Sequence, residues 1–136
     1  VLQRRPWRKA GDFVSDQTTV PCRWTFGGKT YETDSPVCAA VDGEGCTSMD
    51  GLGTAGRACV YAAMCDGIDD PATLSFARRS IGLGKVAMAA RFGLPVEAFM
   101  DIENNRGNTA RVSYVYLLRG WVKKSDRGTF AVRRAG

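Results

Sequence analysis

The stretch GLGKVAMAARFGLPVEAFMDIENNRG, residues 82–107, sets two short amphipathic segments on either side of a Phe-Gly-Leu-Pro turn at 92–95. Two helices that cross tightly need a small residue at the crossing and a glycine that lets the chain turn left-handed. They also need apolar residues at a fixed set of inward positions. With Lys85 counted as the first position, Ala89 is fifth and Gly93 ninth. Met88, Phe92, Leu94, Phe99 and Ile102 fill positions four, eight, ten, fifteen and eighteen. A random amphipathic pair often meets the apolar set, but rarely with alanine and glycine both in register. The pattern predicts two helices crossing near Ala89, the second over Pro95–Glu103.

Working outward, Asp70-Pro71 has the form of an N-cap followed by proline at the first helical position, opening a helix through Arg79. A further helix is expected over 109–119. Downstream, Trp121 to Arg134 reads WVKKSDRGTFAVRR, two alternating runs around Ser-Asp-Arg-Gly, which predicts a terminal β-hairpin at 121–133. Upstream, Arg23–Thr33 reads RWTFGGKTYET, aromatic and β-branched residues flanking Gly27-Gly28, the form of a β-hairpin. Residues 34–54 are rich in glycine, serine and acids and read as loop with one short strand at 37–41. A helix is expected over 55–65, ended by Asp66-Gly67. The expected class is α+β, in three parts: a basic arm at 1–9, an acidic α+β region at 10–70, and a helical domain with a C-terminal hairpin at 71–136.

At this point the sequence resembles a family: the helix-turn-helix domains of phage Cro and lambda-type repressors, the XRE type. Besides Ala89 and Gly93, the likeness is carried by Arg78-Arg79, Gly82-Leu83, Ile102-Glu103-Asn104, Arg106 and Asn108, with no gap from 78 to 109. It covers residues 72–122, and nothing in 1–70 shares it. The resemblance implies a sequence-specific double-stranded DNA-binding regulator, phage-like or from a mobile element, acting as a homodimer on a roughly palindromic site. It implies Lys85 and Arg106 on phosphates, Val96, Glu97, Ala98, Met100 and Asp101 facing the major groove, and Asn105, Asn108 and Arg111 extending that surface. Two departures stand out. Gly84-Lys85 replaces the family's usual Ser-Gln, putting an ammonium where an amide contacts phosphate. The second helix, PVEAFMDIE, contains no base, and Glu97 and Asp101 facing a duplex would be repelled by its phosphates.

Charge is segregated. Residues 1–9 hold Arg4, Arg5, Arg8 and Lys9 and no acid, residues 10–70 have a net charge of −7, and residues 71–136 a net charge of +8, within a total of +5. A basic half suits a polyanion, whose counterions it displaces. Arg4, Arg5 and Arg8 are expected to track backbone or minor groove as an arm. A second parsing makes Asn108–Arg119 the reading helix, with Asn108, Arg111 and Ser113 at the groove. The terminal hairpin is then a wing carrying Lys123, Lys124 and Arg127 to phosphate. The alternative from another class is a protein-docking module on a host nucleic-acid-handling protein, toward which the acidic second helix points.

Enzyme readings find little support. The chain has no histidine, and GKVAMAAR lacks phosphate-loop spacing. No cofactor is expected. Five cysteines at irregular spacing, with no CxxC, argue against both a disulfide framework and zinc. No apolar run reaches bilayer length, so a soluble, cytoplasmic protein without a membrane partner is expected.

Overall fold

The computed structural model describes residues 19–38, 46–47, 49–126 and 130–135. The expected arm at Arg4, Arg5 and Arg8, and Arg127 of the expected wing, lie outside them. Strand β1 (Thr19–Phe26) and strand β2 (Lys29–Cys38) form the expected N-terminal hairpin, in register from Thr19↔Pro36 to Phe26↔Lys29. Gly27 and Gly28 turn it at φ of 57° and 82°, the signs that a right-twisted two-residue hairpin turn demands. The second strand runs well beyond Thr33, and β3 (Cys46–Thr47) pairs with its end.

Among the described residues five helices follow. The first, α1, spans Met49–Cys65 and so begins earlier than the expected Ala55. Helix α2 (Pro71–Ser80) starts as its sequence predicts: Asp70 accepts from the Thr73 backbone N–H at 3.2 Å and from the Thr73 hydroxyl at 2.6 Å. Helices α3 (Lys85–Arg91) and α4 (Val96–Asn104) are the crossing pair. Between them Gly93 sits at φ 68°, and the N–H of Leu94 returns to the Ala89 carbonyl at 2.9 Å, closing the end of α3.

The expected terminal hairpin does not form. Helix α5 continues from Arg111 to Ser125, and one strand, β4 (Arg133–Ala135), follows it. Trp121 and Val122 extend the helical series Tyr114, Leu118, Val122, and Val122 is fully buried, so core packing outweighs the alternating pattern. The short β4 pairs with β2 (Tyr31↔Arg134), where Arg133 contacts Glu32 and Asp34, and Arg134 contacts Asp66.

One apolar cluster runs through the described chain. Phe26 and Tyr31 of the sheet pack on Cys59, Val60, Ala63 and Met64 of α1. The cluster continues through Leu74, Ala77, Met88, Ala89 and Phe99 to Tyr114, Leu118 and Val122. Aromatic edges bridge the layers: Phe26 meets Phe76 at 5.1 Å and Phe99 meets Tyr114 at 5.4 Å between ring centroids. Arg57 of α1 ties two helix ends to this frame. It donates to the Ser80 carbonyl through Nε and Nη2 (3.2 and 3.0 Å) and to the Ser125 carbonyl through Nη1 (3.0 Å). The sequence reading did not single it out.

Candidate nucleic-acid interface

The second helix of the crossing pair is held from inside by a polar lock. Glu103, near the end of α4, is fully buried and accepts from Arg78 Nε and Nη2 of α2, both at 3.0 Å. Its Oε2 also accepts from the Tyr114 hydroxyl of α5 at 2.5 Å. Burial alone would lower the Arg78 pKa, but the hydrogen bonds and charge of Glu103 more than offset this and the pKa is raised. Tyr114 is pushed up by burial and then by the same carboxylate, so it stays a hydroxyl donor. Arg78 Nη1 donates to the Leu83 carbonyl at 3.1 Å, fixing the entry to α3. Helices α2, α4 and α5 are thereby joined through one carboxylate. Arg78 and Glu103 entered the sequence reading as pattern residues; their ion pair, 25 positions apart, left no local signal.

Around that lock the inward set falls where the spacing puts it: Met88, Ala89 and Phe99 are at most 1% exposed, and Phe92, Leu94 and Ile102 are half-buried. The outward set only partly holds. Lys85, Glu97, Ala98, Asp101, Asn105 and Arg106 are exposed, but Val96 and Met100 are half-buried against the core and do not form an apolar part of the reading face. Arg111 is corrected outright. It is 4% exposed and donates to the Glu103 carbonyl through Nε (3.3 Å) and Nη2 (3.1 Å), and to the Asp69 carbonyl through Nη2 (2.6 Å). It clamps the end of α4 and is not available to a groove.

The loop from Asn105 to Ala110 is built by its own amides. Asn105 Oδ1 accepts from the Gly107 N–H at 2.9 Å, and Asn108 Oδ1 accepts from the Ala110 N–H at 2.8 Å. Asn108 Nδ2 donates to Asp101 at 2.7 Å. Arg106, with a side chain 63% exposed, pairs with Asp69 at 3.0 Å. Such a surface pair contributes at most about 1 kcal/mol, weak enough to be exchanged for a phosphate.

Lys123 and Lys124 are exposed in the last turn of α5, on a helix and not on a wing, so the winged parsing loses its hairpin. Among the described residues Lys85, Arg91, Arg119, Lys123 and Lys124 form no ion pair. Also among the described residues, no three metal-ligating side chains cluster, and no helix is long and apolar enough to cross a membrane.

No family model matches the chain, and neither the curated proteins nor the solved structures provide a match. The reading of the site therefore rests on its own geometry.

Proposed function

We propose that the chain is a sequence-specific double-stranded DNA-binding regulator of the Cro and lambda-repressor type, phage-like in character, binding as a homodimer in which each copy meets the duplex with α3 and α4. The observation that carries this is the locked second helix of the crossing pair: α4 is fixed from inside through Glu103 to Arg78 of α2 and Tyr114 of α5, Arg78 also holds the entry to α3 at the Leu83 carbonyl, and the outer side of α4 stays open to solvent. A reading element must keep its shape when it meets a groove, and one buried carboxylate shared by three helices supplies that rigidity. Lys85 and Arg106 are the phosphate contacts in this reading, with Glu97, Ala98 and Asp101 toward the bases and Asn105 and Asn108 beside them.

The test is fluorescence anisotropy against a pool of random labelled duplexes over a salt series, followed by selection for a preferred site. Micromolar or tighter binding with a log-log salt slope of several units supports the reading. Lys85→Glu and Arg106→Glu should each weaken it at all sequences. Absence of binding at low salt refutes it.

A second reading is favoured by one observation. The exposed side of α4 carries Glu97 and Asp101, and Arg106 is already engaged by Asp69. This suits docking on a basic protein surface, such as that of a host nucleic-acid-handling protein. Co-purification of such a partner, lost on Glu97→Ala and Asp101→Ala, would favour docking over groove reading.

A further inference from the structure

A groove of about 430 Å3 lies between α1 and α5, lined by Tyr61 from α1 and by Tyr116, Leu117, Arg119, Trp121 and Lys123 from α5. Its composition is unusual for a surface left to solvent. Tyr116 is 68% exposed and Leu117 40%, and every charged side chain lining the groove is a cation. Arg119 and Lys123 are one helical turn apart and so share a face of α5. Neither has a carboxylate partner among the described residues. The Arg119 guanidinium lies 5.8 Å from the Tyr116 ring centroid. Trp121 is held in place by stacking on Phe92 at 5.9 Å and by Arg91 at 4.7 Å from its centroid. On its far side a second hollow of about 260 Å3 is bordered by Arg91 and Lys124, so the cationic border continues past the indole.

An exposed aromatic ring beside cations without carboxylate partners suits a nucleic-acid strand: each base offers a π-face to stack, and each phosphate needs a nearby cation. An extended peptide is a poorer occupant. Both walls are helices whose backbone groups bond within the helix, so no strand edge is available for main-chain pairing. The volume lies in the range of small-ligand sites, room for a nucleobase and its sugar rather than for a folded domain.

We infer that the α1–α5 groove binds single-stranded nucleic acid, with bases stacked on Tyr116 and phosphates held by Arg119 and Lys123. None of these residues belongs to the α3–α4 surface proposed for duplex DNA; Lys123 entered the sequence reading only through the separate winged parsing, whose hairpin does not form. The two sites therefore stand or fall separately.

The experiment is anisotropy of the whole chain with a labelled oligo-dT, which cannot form a duplex with itself, across a salt series. The expected result is salt-dependent binding that Tyr116→Ala weakens by about fivefold or more, the loss expected when one stacked base is released. Tyr116→Phe should retain binding, because the ring and not the hydroxyl is the platform. The pair Arg119→Glu/Lys123→Glu should abolish it, while Lys85→Glu and Arg106→Glu leave it intact. Tyr116 is exposed, so thermal unfolding of Tyr116→Ala should match the parent and separate lost binding from lost folding. The inference is overturned if oligo-dT does not bind at low salt. It is equally overturned if Tyr116→Ala binds as well as the parent, which would indicate indifferent polyanion attraction. Displacement of the strand by an acidic, aromatic peptide at equal charge would instead make the groove a protein site.

Discussion

Replacing Glu103 by glutamine keeps the side-chain shape and removes the charge on which three helices converge. The consequence can be worked from the surroundings. Glu103 is fully buried, and the Arg78 side chain is only 5% exposed, so the substitution leaves a guanidinium without its counter-charge in a site water does not reach. Breaking a buried pair in this way costs about 3–5 kcal/mol. Against a typical domain stability of about 5–15 kcal/mol this is a large fraction. For a chain of this length it corresponds to a fall in Tm of roughly 10–20 °C. Urea unfolding with a constant m-value gives the free-energy difference directly. A second variant tests the cause. In Arg78→Met/Glu103→Leu no charge is stranded, and the loss should be well below the sum of the two single changes. Part of the loss should remain, because Arg78 also donates to the Leu83 carbonyl and to Ser75 Oγ. If Glu103→Gln falls within about 1 kcal/mol of the parent, or if the double variant shows the full sum, the carboxylate is not the keystone described above.

Asp70→Ala should destabilise the chain by about 1 kcal/mol through loss of the α2 cap, read as a shifted urea midpoint; no shift would mean the Thr73 contacts carry no net stability. Asp66, hydrogen-bonded by Arg134 and Tyr31, has its carboxyl lowered to about 2, below the usual carboxylate range. A depressed folded pKa adds stability above the unfolded value, and that stability is lost as pH falls from about 4 through about 2. The unfolding midpoints of the parent and Asp66→Asn should therefore differ at neutral pH and converge across that acid window. Burial, before the effect of nearby Cys22, pushes the Cys59 thiol up to about 12, whereas Cys65 is exposed. Brief alkylation of the native chain, mapped by mass spectrometry, should label Cys65 and spare Cys59; rapid labelling of Cys59 would show that α1 opens. Gly93→Ala should cost about 1 kcal/mol in the same urea assay: no atom crowds the added Cβ, so the penalty is that of the left-handed backbone alone.

What the sequence revealed follows the range of the interactions involved. Asp70-Pro71, Gly27-Gly28 and the Ala89 to Gly93 register each encode a conformation within a few residues, and each element forms as read. Arg111 was misread because an arginine opening a helix looks like a surface cation. Its partners are the carbonyls of Glu103 and Asp69, 8 and 42 positions away. The 121–133 hairpin was misread because Trp-Val-Lys-Lys suits a strand or an amphipathic helix alike. The choice was made by Val122 entering a core that exists only once the other helices are in place. Likewise Val96 and Met100 lie at positions that a bare motif leaves outward, and the packing of this particular chain turns them partly inward.

The short terminal strand has a consequence for the order in which the chain can assemble. Its Arg133 meets Glu32 across 101 positions, and Arg134 meets Asp66 across 68. During synthesis β2 therefore emerges long before this neighbour exists, and Glu32, Asp34 and Asp66 remain without these arginine counter-charges meanwhile. Until residues 133–135 arrive, the stretch Thr30–Glu32 is a sheet edge with unpaired backbone groups, open to the wrong neighbour. Pairing of residues 133–135 thus closes this edge only after every other described element has been made, and a copy truncated before Arg133 should be the one that aggregates.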